Sequence, residues 1–347
     1  MFTQIARITD PARPRVVLCS FALLLLCACG ARDSTKFSFS GNTMGTQFSV
    51  KLIGGSVAYD ALTAIIETEL DDVEKMLSTY RAESEISRFN NNNTTEWYEV
   101  SREFCLSVEA ALVLSVFTGG SFDITVGPLV NLWGFGPGEV VSQPPAAEDI
   151  DAALETVGYE HLQADCNRPA LRKNLASITL DMSAIGKGYA VDRIATQLDR
   201  RGFDNYLVEI GGELRFRGRN AKGDKWAIGI EIPKVSLRRP HTIIYLTDTA
   251  MATSGDYRNF FEANGKLYSH TIDTRTGRPV THMLASVTVV DSEAARADAL
   301  ATALLVMGPD QGLEFATAHD LAAFFLLRTS SGIEERSSPA FENLRQQ

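Results

Sequence analysis

Trp226-Ala227-Ile228-Gly229-Ile230-Glu231-Ile232 alternates large apolar residues with small or charged ones. A period of two marks a strand with one face buried and the other in water. The stretch 206–217 lies just upstream at hairpin spacing, and hairpins join antiparallel neighbours. Further strand signals fall at 37–53, 243–246, 286–290 and 323–327. Together they predict mostly antiparallel sheet.

Helical periodicity separates these strands. Leu62, Ile65, Ile66, Leu70, Val73, Met76 and Leu77 recur at helical spacing within 59–77. Ser101 is placed to cap a second helix running to about Thr118, with Phe104, Cys105, Val108 and Leu112 inward and Gly119-Gly120 stopping it. Ser183 is placed to cap a third, with the stripe Ala190, Ile194 and Leu198 and an end at Gly202. A fourth begins at Asp291 and turns Ala297, Leu300, Leu304 and Leu305 toward the core. The expected fold is α+β: mostly antiparallel sheets with packed helices, in two interlocked lobes. Asn90-Asn91-Asn92-Asn93 and the stretch 136–145 read as surface loops. No interior linker, repeat or low-complexity tract divides the chain.

The first residues carry Arg7, Arg13 and Arg15 and then an apolar run over 16–26. That is the layout of a secretory signal, and the run is too short to span a bilayer as a helix. It ends in Leu26-Cys27-Ala28-Cys29, which resembles the lipobox of bacterial lipoproteins. The expected organisation is a signal over 1–28, a lipidated Cys29 with a tether over 29–36, and a single catalytic domain over 37–347. Acylation at Cys29 would anchor the protein in the periplasm without a transmembrane helix. The chain carries a formal net charge of −10. Loss of the signal makes it more acidic still, which argues against nucleic acid as a partner. Beyond Cys29 the cysteines are Cys105 and Cys166, enough for one disulfide whose formation the spacing leaves open.

Chemistry gathers in Tyr268-Ser269-His270-Thr271-Ile272-Asp273, the turn Thr276-Gly277-Arg278-Pro279, and Ala297-Asp298-Ala299-Leu300-Ala301-Thr302. Asp298 and Thr302 stand four apart on a helix and so share a face. A carboxylate and a hydroxyl side by side are hard oxygen donors of the kind magnesium takes. His270 is the candidate proton acceptor. Asp181-Met182-Ser183-Ala184-Ile185-Gly186-Lys187-Gly188 sits at a helix start, where unpaired N–H groups and a lysine suit phosphate. Its spacing is not that of a P-loop. Tight packing at Gly186 and Gly188 explains the glycines equally well.

These stretches, together with Met44-Gly45-Thr46, Leu77 to Tyr80, Ser84 to Asn90, Gly120 to Thr125, Gly127 to Leu129, Leu132 to Gly136, Glu209 to Glu213 and Ala252 to Tyr257, resemble the ApbE family. Its members are FAD:protein FMN transferases, and the blocks follow the family's order over nearly the whole chain beyond the signal. The resemblance implies an ApbE-like fold and an enzyme that moves FMN from FAD to a Thr or Ser hydroxyl of a redox protein through a phosphoester, releasing AMP. It implies FAD contacts at Met44, Tyr80, Ser121, Phe122, Asp123, Asp181, Lys187, Thr271 and Ile272. It implies Mg2+ held by Asp298, Thr302 and the Ala184 carbonyl, with His270 as base. Some relatives carry a further acid where this chain has Ala301. The implied partners are flavin-accepting subunits of membrane electron-transfer complexes of the sodium-pumping quinone reductase type, served by an enzyme anchored to the inner membrane. Two alternatives stand beside this: a magnesium-dependent FAD pyrophosphatase, and a non-catalytic FAD-binding periplasmic lipoprotein. The block at Thr253 to Tyr257 reads as structural, and Glu213 is left without a role.

Overall fold

The computed structural model describes residues 36–55, 58–138, 141–233, 239–256 and 259–346. The signal, Cys29, the tether before Lys36, and Tyr257 lie outside them. Eight strands form one sheet in the order Lys36–Thr43, Thr46–Ile53, Tyr206–Ile210, Glu213–Arg217, Thr249–Gly255, Leu284–Asp291, Ala322–Thr329 and Gly332–Ser337. Every neighbouring pair is antiparallel. Spatial order follows chain order, so the sheet is a meander into which helices and small hairpins are inserted.

Both faces of the sheet are buried, and alternation along its strands separates two cores. Val208, Ile210, Ala250, Ala252, Val289 and Phe325 meet the helices Tyr59–Leu77, Arg102–Phe117, Ser183–Arg200 and Ala294–Met307 in the larger core. Leu207, Leu214, Phe216, Met251, Phe324 and Leu326 point the other way, against Trp226, Ile228, Ile230 and Phe341. The mixed helix and antiparallel-sheet fold is as expected, and the shared sheet is what interlocks its two halves.

Several boundaries differ from the sequence reading, each for a physical reason. The strand Trp226–Glu231 is not a neighbour of Glu213–Arg217; it pairs with Pro240–Leu246 in a separate two-stranded ribbon over the second face. Its one-sided alternation suits a covering layer, whereas the main strands are apolar on both sides. The segment 37–53 is a hairpin that turns at Met44 (φ 49°) and Gly45 (φ 71°), the left-handed pair that matches strand twist. Ser183 is the first helical residue and not the cap; its N–H donates to Asp181 Oδ1 at 2.7 Å. The fourth helix starts at Ala294 and not at Asp291, which ends a strand. Asn90 belongs to no simple surface loop. Its side-chain amide donates to the Leu180 carbonyl (2.9 Å), and its oxygen accepts from Leu180 N–H (2.7 Å), clasping the chain that leads into Asp181. The strand Thr249–Gly255 escaped notice because its small residues give no alternating signal.

Cys105 and Cys166 are joined in a disulfide that closes a loop of 61 residues. Restricting that loop in the unfolded chain is worth about 4 kcal/mol.

Candidate active site

The site forms where the helices Ser183–Arg200 and Ala294–Met307 cross. A Cβ at Gly188 would stand 2.3 Å from the Ala294 carbonyl oxygen, so only glycine allows this approach. Gly186 has no such constraint, since a Cβ there would meet nothing within 4 Å. Asp192, one turn beyond Gly188, fastens the crossing. Its Oδ1 accepts from Ala294 N–H (3.1 Å), its Oδ2 from Ala295 N–H (2.9 Å), and Arg215 lies 2.6 Å from Oδ1. The second helix is therefore capped from outside its own sequence.

The crossing presses Asp298 against the first turns of the Ser183 helix. Asp298 Oδ2 accepts from Gly188 N–H at 3.1 Å. In an α-helix that N–H faces the carbonyl four residues back, here that of Ala184. Asp298 is thus set against the turn that carries Ala184. Thr302 follows one turn later, with Oγ1 2.9 Å from Ser254 Oγ. Of the three residues expected to hold magnesium, Asp298 is set against the helix that carries Ala184, and Thr302 lies one turn along Asp298's own helix with its hydroxyl on Ser254. Among the described residues no three His, Cys, Asp or Glu side chains cluster as a metal site.

Asp298 is buried, and burial, aided by the Glu213 charge, raises its pKa to about 7 against the opposing pull of Lys187 and Gly188 N–H. Lys187 Nζ lies 3.3 Å from Glu213 Oε1 and 3.8 Å from Asp298 Oδ2. Glu213 opens a main-sheet strand just after the left-handed Gly211 (φ 65°) and Gly212 (φ 113°). A Cβ at Gly211 would meet Thr46 Cγ2 at 2.8 Å and Lys187 Cδ at 3.3 Å. The Met44 turn, the double-glycine turn and Lys187 are therefore stacked at one end of the sheet. Met44 N–H donates to Glu74 Oε1 at 3.0 Å, which fixes the turn. Beside it, under the ribbon, opens a cavity of about 1000 Å³ lined by Met44, Gly211, Gly212, Leu214, Gly229 and Thr253 among others.

His270 enters from the hairpin Phe260–Ala263 and Lys266–Ser269. Its Nδ1 lies 3.0 Å from the Asn259 carbonyl oxygen, and its own N–H donates to the same oxygen at 3.1 Å. A carbonyl only accepts, so Nδ1 carries the proton and Nε2 keeps its lone pair. Burial lowers the imidazole pKa below 6.5; the Asn259 bond and Asp256 oppose this, while the Lys187 charge adds to it. The ring is thus a neutral base at neutral pH. Phe135 meets it edge-on at 6.3 Å, and Asp256 is held by both guanidinium nitrogens of Arg328 at 2.6 Å. Thr271 and Ile272 follow, both buried, with Thr271 N–H donating to Ser269 Oγ (3.1 Å) and Ile272 paired with Pro279. The turn around Gly277 (φ 66°) is pinned by Trp133 Nε1, which donates to its carbonyl at 2.8 Å.

The remaining residues expected to touch FAD are linked to one another through Asp181. Tyr80 is exposed, its hydroxyl donates to the Phe135 carbonyl (3.1 Å), and its pKa is raised by burial of the hydroxyl and then by the Asp181 charge. Asp181 N–H donates to the Ile124 carbonyl at 2.8 Å, tying the phosphate-type helix start to the Ser121-Phe122-Asp123 loop. Ser121 and Phe122 are buried. Asp123 is fully engaged by protein: Oδ1 accepts from Thr125 N–H (2.8 Å) and Thr125 Oγ1 (2.7 Å), Oδ2 from Tyr159 N–H (2.9 Å). Burial raises its pKa against those donors. Two contacts of the candidate residues escaped the sequence reading. Ser254 lies in a block read as structural yet touches Thr302, and Asn259 orients His270 through a backbone carbonyl that no sequence pattern announces.

The ApbE family model matches residues 44–325. The FAD:protein FMN transferase of Vibrio cholerae is 42% identical over 325 residues, covering 92% of this chain and 96% of that protein. The Haemophilus influenzae FAD:protein FMN transferase is 41% identical, covering 92% and 94%. Among solved structures, the flavin transferase ApbE of Vibrio cholerae superposes with a TM-score of 0.83 at 40% identity, over 90% of this chain and 99% of that one. The Pseudomonas stutzeri flavinyl transferase ApbE, apo form, gives 0.83 at 40%, over 90% and 98%. A match this long, in both sequence and fold, makes the chain a member of the ApbE family.

Proposed function

We propose that this protein is an enzyme that takes FAD and attaches its FMN part to a Ser or Thr hydroxyl of a partner protein. The observation that carries the reading is the gathering of the buried Asp298, Lys187 and a neutral His270 within reach of one another's charge. The substrate's diphosphate is assigned to the Lys187 ammonium beside Asp298 and not to the helix start itself, because Ser183 N–H donates to Asp181 and the Ile185 and Gly186 N–H groups donate to the Met182 carbonyl. His270 Nε2 receives the proton of the acceptor hydroxyl. That oxygen forms a bond to the FMN-side phosphorus while the diphosphate P–O bond breaks, and AMP carries away the electron pair. Magnesium suits the oxygen donors of Asp298, Thr302 and Ala184, and when bound it supplies charge neutralisation to the diphosphate and the leaving AMP. Asp298 favours such an ion because burial leaves its carboxylate undercompensated.

The reading includes export and a lipid anchor at Cys29, with acceptors that are flavin-bearing subunits of membrane electron-transfer complexes. The Cys105–Cys166 disulfide supports an oxidising compartment. The test is incubation of the mature protein with FAD, magnesium and candidate acceptor domains, read by in-gel flavin fluorescence. A fluorescent acceptor band supports the proposal. Free AMP beside an unlabelled acceptor would make the protein an FAD pyrophosphatase, and neither product would leave only flavin binding.

A further inference from the structure

Glu213 has a placement that packing does not explain. It is 3% exposed, and one of its carboxylate oxygens, Oε2, has no hydrogen-bond partner among the described residues. The other oxygen lies 3.3 Å from Lys187 Nζ, which also stands 3.8 Å from Asp298 Oδ2. An incompletely satisfied buried carboxylate is unfavourable for folding. Here it shares a lysine with the carboxylate that the proposed cation needs. Resting on the flavin-transferase reading, we infer that Glu213 is a positioning residue. It draws the Lys187 ammonium off Asp298, leaving that carboxylate to a cation and presenting the ammonium to the substrate diphosphate. The glycine pair before Glu213 brings its strand start against Lys187 without an intervening side chain.

The inference predicts an effect opposite in sign to simple electrostatics. Deleting a negative charge beside an anionic diphosphate should by itself tighten FAD binding. If Glu213 instead positions Lys187, Glu213→Gln weakens it. FAD affinity is measured by flavin fluorescence at saturating magnesium for the wild type, Glu213→Gln, Lys187→Ala and the double variant, with melting temperatures as a control on folding. The expected loss for Glu213→Gln is about tenfold, with KM for FAD rising more than kcat falls. In the Lys187→Ala background the same substitution should cost nothing further, because its effect passes through that lysine. Glu213→Asp, which keeps the charge, should recover part of the loss. Unchanged or tighter binding by Glu213→Gln, or an equal loss in the double variant relative to Lys187→Ala, overturns the inference. Failure of the wild type itself to bind FAD would instead sink the flavin-transferase reading on which it rests.

Discussion

Asp192 and Asp298 serve the same helix crossing and are treated in opposite ways. Asp192 takes two backbone N–H groups and an arginine, so its charge is matched on every side. Asp298 takes one N–H at 3.1 Å, keeps its lysine at 3.8 Å, and sits with its pKa raised to about 7. A matched aspartate fastens helices. An undermatched one at the same crossing is what the proposed cation would complete. The same contrast separates the second-face core, built from Trp226, Phe324 and Phe341, from the polar end of the sheet where His270 and Lys187 stand.

The comparison can be broken by substitution. His270→Ala should slow transfer about a hundred- to ten-thousandfold while FAD still binds, as steady-state rates beside fluorescence titration would show. Near wild-type rates would remove the ring from the chemistry. Asp298→Ala should cost at least about a hundredfold in magnesium-dependent activity, since even outer-shell changes at metal sites cost ten- to a hundredfold. Its melting temperature without metal at pH 8 should not fall, because a buried charge is removed. Asp192→Ala should do the reverse, losing about 2 kcal/mol of stability in a denaturant titration through the lost cap and ion pair. The refolded variant should keep its FAD affinity at low temperature.

A smaller, graded effect follows from pH. An aspartate whose folded pKa lies above its unfolded value of 3.8 is a cost that grows as pH rises through that interval and levels off above the folded value of about 7. On the proposed magnesium reading, the cation would compete with the proton that a pKa of about 7 leaves on Asp298. Apparent magnesium affinity, by calorimetry, should therefore weaken about tenfold for each unit below pH 7. Asp298→Asn should abolish the slope.

The sequence carried the site's parts better than its frame. That Asp298 and Thr302 share a face was legible from helical spacing alone, and a helix start beside Asp181 was legible to within one residue. What joins them was not. The crossing depends on Gly188 clearing Ala294 and on Asp192 reaching a helix a hundred residues away, contacts that no local period encodes. The ribbon at Trp226 was rightly seen as a strand and wrongly placed, because one-sided alternation tells which face is buried but not which partner buries it. Thr249–Gly255 carries small residues in the crowded middle of the sheet and so shows no alternation. Asn259 acts through its backbone, which the identity of its side chain cannot reveal.

On the proposed reading, this end of the sheet moves FMN from FAD to a protein hydroxyl and does not merely bind or hydrolyse the dinucleotide. The most direct measurement is the ratio of AMP released to FMN covalently attached, by chromatography and intact-mass spectrometry, with magnesium, FAD and an acceptor domain present. The account predicts one AMP for each FMN on the acceptor, with both falling together in His270→Ala. AMP released in excess over an unmodified acceptor, or a bound flavin with no AMP at all, would contradict it.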